Sequence, residues 1–259
     1  MQRWLGLYRS SIGKKIIVAV TGALMLAFLV GHVVGNLKVF LPDPEPGVAD
    51  IDAYAEFLRS AGEPLVPHGA MLWAVRIVLV AALVLHVTCV LQLSARSRAA
   101  RPEGYRARSY KQASLSARMM MVSGVLLFAF IVFHILHFTT GTVDPADFTP
   151  GAVYANLRRA FTQWSLVALY VVAMAGVGLH VFHGAWSVFQ SLGLDNPDRN
   201  RLLRGLSVVL AVALFIGFAT VPLSFALGAL GPRASSTSVS APAAGAAFAS
   251  SPADPEVTP

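Results

Sequence analysis

Residues 10–37 read SSIGKKIIVAVTGALMLAFLVGHVVGNL, and this stretch decides the fold class. The apolar run from Ile16 to Leu37 is long enough to cross a bilayer core, which takes about 20 helical residues. The run is longer than the apolar part of a secretory signal, and no small-x-small cleavage site follows it. We therefore predict that it is a retained membrane-spanning helix.

Four further apolar segments of spanning length follow, so that the predicted spans are 16–37, 70–93, 119–139, 166–189 and 205–230. The whole chain is 56% hydrophobic and only 13% charged, whereas a soluble domain carries about 25% charged residues. Continuous apolar runs of this length form helices, because lipid offers the backbone no hydrogen-bonding partner. The sequence predicts an all-α integral membrane bundle of five transmembrane helices over residues 1–230. A disordered Ala/Ser/Pro-rich tail is predicted over residues 231–259.

The charges between the spans predict how the bundle is oriented. The segments 94–118 and 190–204 are rich in arginine, whereas the loop 39–69 carries six acidic residues against Arg59. Basic loops stay in the cytoplasm, so the N-terminus is predicted to be cytoplasmic and the C-terminus outside. The charged residues behind the net charge of +7 lie between the apolar runs. Their position predicts basic membrane loops and no nucleic-acid partner.

Three smaller features complete the organisation of the chain. A short helix is predicted in the first outer loop, where Ile51, Tyr54, Ala55 and Leu58 recur at helical spacing. The single cysteine, Cys89, excludes an internal disulfide and a cysteine-ligated cluster within this chain. We expect no internal repeat and no nucleotide or phosphate motif.

Histidines inside the apolar runs are the candidate functional residues, because ionisable side chains are rare and costly within a membrane. Six of the seven histidines lie there, namely His32, His86, His134, His137, His180 and His183. His32 and His134 lie roughly 24 Å and 22 Å from the cytoplasmic starts of their spans. His86 and His180 lie roughly 24 Å and 21 Å from the outer starts of spans that run the other way. Depth therefore pairs His32 with His134 in the outer half, and His86 with His180 in the inner half.

Two such pairs on four helices fit two haems, each ligated by two histidines. Neutral imidazole is a good axial ligand, and ligation by two histidines leaves no open position, which suits electron transfer. Two alternatives remain open at this point. Buried histidines can bond across helices without a cofactor. A proton relay is the other alternative, although it would use embedded acidic residues and the predicted spans contain none.

Three further side chains have more than one interpretation. His137 and His183 each follow a proposed ligand by three residues, so either could replace its neighbour, or could bond a haem propionate or a quinone. Arg76 lies about 9 Å from the outer edge of its span by helical rise. We expect Arg76 to compensate a propionate of the outer haem; the alternative is that it extends to the membrane surface.

The motifs that hold these histidines resemble a known family. Besides residues 10–37, they are LHVTCVLQLSARSRAARPEGY at 85–105, FIVFHILHF at 130–138 and GLHVFHGAWSVFQSLGL at 178–194. Together they resemble the cytochrome b subunit of succinate:quinone oxidoreductases, of the single-subunit di-haem type with five helices. The resemblance covers about residues 8 to 230 in order, spacing and topology.

The resemblance implies a role in electron transfer at the cytoplasmic membrane of a bacterium. The chain would anchor a flavoprotein and an iron–sulfur subunit. The dicarboxylate chemistry would belong to the flavoprotein. The complex could form higher oligomers. Electrons from succinate oxidation would pass through two haem b groups to a quinone, which is expected to be menaquinone. Fumarate reduction would use the same path in reverse.

The resemblance also assigns the ligands. His32 and His134 would ligate the distal haem iron, and His86 and His180 the proximal one. The spacing from His180 to Gly184 favours His180 over His183. Candidates for the quinone site are Glu56, His137 and His183. The alternatives are a cytochrome b serving another dehydrogenase or reductase, such as hydrogenase or nitrate reductase, and a haem-free membrane anchor or transporter.

Overall fold

A computed structural model describes residues 8–100, 115–143, 148–194 and 196–233, with no side chains described for 115–118. Within these ranges the chain is helical and contains no strand. The long helices are α1 (Ser11–Leu37), α3 (Ala70–Ala99), α4 (Leu115–Phe138), α6 (Trp164–Ser191) and α7 (Asn200–Ala226). Two short helices, α2 (Asp50–Ser60) and α5 (Val153–Ala160), lie in loops. The predicted tail from residue 234 onward and the basic residues at 101–111 lie outside the described residues.

Among the described residues, five helices are long and apolar enough to cross a membrane, which confirms the predicted fold class. The spans are longer than their apolar runs. Helix α1 begins at Ser11 rather than at the predicted Ile16, and α3 continues past the predicted end at residue 93 to Ala99. The hydroxyl of Ser10 caps α1 by accepting a hydrogen bond from the Gly13 N–H at 2.9 Å. Each of these two helices thus extends, through polar residues, beyond the apolar segment that would lie in lipid.

The outward surface of every span is apolar. Large side chains more than half exposed occur on all five spans, for example Val20 (56%), Ile77 (64%), Val125 (61%), Val172 (67%) and Val209 (65%). A soluble monomer rarely leaves so much contiguous apolar surface uncovered. A bilayer covers such a surface, so we treat the chain as a multi-pass membrane protein.

The helices form two antiparallel hairpins and one additional span. Helix α1 packs against α3, α4 packs against α6, and α7 packs against both α6 and α1. We call the end where α1 and α7 begin the basic end, because Lys14, Lys15 and Arg204 lie there. We call the opposite end, which carries α2 and α5, the capped end.

Polar contacts hold the two short helices together at the capped end. Helix α2 confirms the predicted loop helix, whereas α5 was not predicted. Asp52 of α2 accepts a hydrogen bond from the Tyr154 N–H of α5 at 2.9 Å. Burial raises the pKa of the Asp52 carboxyl, although the hydrogen bonds that the carboxyl accepts from backbone N–H groups lower this pKa. Arg233 pairs with Asp43 at 2.7 Å, so the ordered contacts continue three residues beyond the predicted boundary at 230.

Close packing between α1 and α7 depends on Gly217. A Cβ atom at this position would lie 2.5 Å from Cγ2 of Val33, whose branched side chain is 9% exposed and has little rotamer freedom. We expect Gly217→Val to lower the free energy of unfolding by about 1–3 kcal/mol through overpacking. Thermal unfolding of the detergent-solubilised protein, followed by circular dichroism, measures this loss. Gly205→Val is the matched control, because nothing lies within 4 Å of a Cβ there; equal loss in both variants would contradict the contact.

Candidate functional site

The first predicted pair, His32 and His134, meets between α1 and α4 near the capped end. His32 lies five residues before the last residue of α1, and His134 lies four residues before the last residue of α4. Their ring centroids are 6.0 Å apart and their planes are inclined by 78°. The structure therefore brings together two side chains that are 102 residues apart in the sequence.

The separation of these two rings suits the two axial ligands of one metal ion. A histidine nitrogen binds a transition metal at about 2.0–2.1 Å. Two imidazoles on opposite sides of one ion therefore have ring centres about 6 Å apart, since each centre lies about 1 Å behind its ligating atom. The observed separation of 6.0 Å agrees with this value.

Aromatic side chains surround the same pair. Phe28 stacks on His32 with centroids 5.2 Å apart, and Phe130 lies 5.8 Å from His134. Phe218 of α7 lies 5.6 Å from His32. The pair is thus flanked by apolar rings, an environment that suits an apolar planar cofactor.

The second pair, His86 and His180, lies deeper in the bundle. Each histidine is sixteen residues beyond the first residue of its helix, Ala70 in α3 and Trp164 in α6. Because these helices run in the same direction, equal spacing places the two side chains at equal depth. The structure records no ring contact between them; each is held instead by a hydroxyl group.

The hydroxyl groups belong to the opposite helix of each hairpin. Thr21 Oγ1 lies 3.1 Å from Nδ1 of His86, and Ser123 Oγ lies 3.2 Å from Nδ1 of His180. A Cβ atom on Gly22 or Gly124, the residues that follow these hydroxyls, would lie 3.4 Å from Cε1 of the respective imidazole. A small residue at each position therefore lets the imidazole pack closely against the neighbouring helix.

The hydrogen bonds of the hydroxyls favour one tautomer of both imidazoles. Thr21 donates its single proton to the Ile17 carbonyl at 2.7 Å, and Ser123 donates to the Met120 carbonyl at 3.1 Å. With its proton donated in this way, each hydroxyl oxygen can accept a hydrogen bond from an N–H at Nδ1 of its histidine, and this is the tautomer that the arrangement favours. This leaves the lone pair of Nε2 free to bind a metal. Metal-ligating histidines commonly donate their other N–H in this way.

The two hairpins are related by an internal repeat, which corrects the expectation that the chain has none. Residues 20–32 (VTGALMLAFLVGH) and 122–134 (VSGVLLFAFIVFH) are identical at seven of thirteen positions, and Thr21 aligns with Ser123. The offset is 102 residues between α1 and α4 but 94 between α3 and α6. The connection between the two helices differs in length from one hairpin to the other, so no single period relates the two halves.

The repeat separates the four paired histidines from the other two. His32 is equivalent to His134, and His86 to His180, whereas His137 corresponds to Gly35 and His183 to Cys89. His137 is 6% exposed, and its Nδ1 lies 2.9 Å from the Tyr170 hydroxyl, which is also 3.5 Å from Nδ1 of His134. His183 contacts Trp186 edge to face. Only the paired histidines occur in both halves, which favours them as the ligands.

The remaining predicted site residues lie elsewhere. The Arg76 guanidinium stacks on Trp73, 5.0 Å from the ring centre, and Trp73 is 60% exposed. This contact fits the alternative in which Arg76 extends to the membrane surface. Glu56 contacts Arg59 at 3.5 Å and His68 at 4.0 Å in the exposed part of the capped end. The roles of Arg76 at a propionate and of Glu56 at a quinone stay predictions.

Comparisons of the chain with family models, with curated proteins and with solved structures found no match. Within the described ranges, no group of three or more His, Cys, Asp or Glu side chains could share a metal ion. A haem iron differs from such a site, because the macrocycle supplies four ligands and the protein only two. Two histidines would therefore be the protein's full share of each proposed iron site.

Proposed function

We propose that this chain is the membrane cytochrome b subunit of a succinate:quinone oxidoreductase, and that it binds two b-type haems. His32 and His134 ligate one haem iron, and His86 and His180 ligate the other. The observation that carries the haem assignment is the 6.0 Å ring separation of His32 and His134. The repeat supports the second pair. Succinate and quinone rest on the resemblance of the histidine motifs to that family.

The side chains of the bundle have distinct tasks in this proposal. Each haem supplies a one-electron carrier, and the protein fills both axial positions, which favours electron transfer over oxygen binding. Thr21 and Ser123 hold the imidazoles of the second pair through Nδ1. Thr21 and His32 are eleven residues apart on α1, so the two layers lie about 16 Å apart along the helix. The two sites together cover much of the hydrocarbon core.

The charge distribution supports an orientation for the complex. The basic end carries Lys15, Arg96, Arg98, Arg199 and Arg201, and positive residues favour the cytoplasm. We therefore place the iron–sulfur and flavoprotein subunits at the basic end, in the cytoplasmic membrane of a bacterium. The quinone, expected to be menaquinone, would then react near the His32–His134 pair.

A tagged form of this chain, purified with its natural partners, tests the proposal. We expect a reduced-minus-oxidised spectrum of b type, two haems per chain by pyridine haemochrome assay, and copurifying succinate:quinone activity. Absence of b-type haem would overturn the proposal. Two haems with a hydrogenase or nitrate reductase as partner would overturn the assignment to succinate and leave the histidine pairs standing.

The hydroxyl contacts give a further prediction. Thr21→Val keeps the shape of the side chain but removes the acceptor for Nδ1 of His86. We expect the haem of the second pair to bind about 10–100-fold more weakly, as is typical for the loss of such supporting contacts. Haem content during dilution of the purified protein measures this change. Thr88→Val is the matched control, because Thr88 lies exposed two residues beyond His86; the same loss there would argue against the hydroxyl contact.

A further inference from the structure

Lys14 is a buried cation whose recorded contacts, within the described residues, are to uncharged groups. Its side chain is near the basic end of α1 and the residue is 3% exposed. Its Nζ donates to the Gln92 side-chain oxygen and lies 4.0 Å from the ring centre of Tyr8. Both partners are uncharged, and in the described part of the chain no carboxylate pairs with Lys14. Burial of an ammonium group is unfavourable unless an anion compensates it, so an anion is the partner that the described contacts do not supply.

Trp186 presents a second unsatisfied donor. Its indole Nε1 is buried and has no hydrogen-bond acceptor among the described residues. The Arg204 guanidinium lies over the indole ring, 4.7 Å from its centre. A buried indole N–H without an acceptor loses the hydrogen bond that water would give it. The arrangement therefore lacks an acceptor, and the adjacent arginine favours a negatively charged one.

The repeat places these donors at one level of the bundle. Gln92, which holds Lys14, follows His86 by six residues, and Trp186 follows His180 by six residues. Six residues correspond to about 9 Å along a helix, here toward the basic end. Lys14 also precedes Thr21 by seven residues, which is two helical turns. Each hairpin thus contributes one donor on the basic-end side of the second histidine pair.

We propose that Lys14 and Trp186 bind the two propionate carboxylates of the haem held by His86 and His180. This inference rests on the proposed function, and it directs the carboxylate edge of that haem toward the basic end. A lipid phosphate or an acidic side chain of a partner would approach from outside, where Lys14 is covered. A carboxylate on a group bound inside the bundle reaches Lys14 from within.

The midpoint potential of the second-pair haem tests the proposal. It is measured in a His32→Leu background, in which only this haem remains. We expect Lys14→Met to lower the potential, because loss of the cation disfavours the more negative reduced state. A tenfold change in the reduction equilibrium corresponds to about 59 mV for one electron, and we expect a change of at least this order. Lys14→Arg keeps the charge and retains the potential. The exposed neighbour gives the matched control Lys15→Met, which leaves the potential unchanged.

The Trp186→Phe variant is an independent test of the propionate contact, because it removes the indole N–H and keeps an aromatic ring. We expect the propionate bending band of the haem to move in the resonance Raman spectrum. An unchanged potential in Lys14→Met with haem retained would overturn the proposal, as would a shift confined to the other haem in a His86→Leu background. Loss of anionic-lipid binding by Lys14→Met without a change in potential would identify a lipid phosphate as the partner and also overturn it. Wild-type protein without haem would refute the proposed function itself.

Discussion

The His86→Leu variant is expected to retain one b-type haem per chain and to lose the other. Leucine is apolar and close to imidazole in volume, so it can occupy the space beside Gly22 without binding iron. The remaining ligand, His180, would hold the haem through one protein bond, and we expect this haem to be lost during purification. The pyridine haemochrome assay should fall from two haems per chain to one, and one component should vanish from the potentiometric titration.

Double variants test the pairing itself. His86→Leu combined with His180→Leu should still retain one haem, because both substitutions affect the same site. His86→Leu combined with His134→Leu should retain none. His183→Leu is the control for a histidine on the same helix, and it should keep both haems. Loss of a haem in His183→Leu, with both retained in His180→Leu, would exchange the ligand assignment on α6.

The second large effect is expected at α4, where two histidines lie three residues apart. His134→Leu should remove the haem near the capped end and leave the other haem in place. His137→Gln should keep both haems, because an amide can still bond the Tyr170 hydroxyl, which lies 2.9 Å from His137 in the structure. The two variants are compared by haem content and by the potential of each remaining component. Retention of both haems in His134→Leu would refute the predicted ligand.

The sequence predicts the spans and the two histidine layers because both depend on local properties. A span follows from an unbroken apolar run, and the depth of a histidine follows from its distance to the end of that run. His32 and His134 illustrate this, since counting residues along two helices was sufficient to pair them. Helix α5 was not predicted, because eight residues give little periodicity.

Contacts between helices could not be predicted in the same way. Thr21 and His86 are 65 residues apart, and Ser123 and His180 are 57 residues apart. Which face of each helix meets its neighbour depends on packing, and packing is not encoded in a single segment. A signal for these hydroxyls nevertheless exists in the sequence. Thr21 and Ser123 each lie eleven residues before a histidine of the first pair, and each directly precedes a glycine. Comparison of the spans with one another, rather than a search for a fixed period, would have found it.

The repeat has a consequence for assembly. Each hairpin carries one histidine of each layer, so neither hairpin alone contains a complete binding site. In the proposed complex each haem is therefore bound by one histidine from each hairpin. The two haems join the hairpins at two different depths in the bundle. The same geometry would arise if a single two-helix ancestor paired with its own copy. Two separately expressed fragments, joined only by the cofactor and by side-chain packing, should accordingly be able to rebuild the bundle.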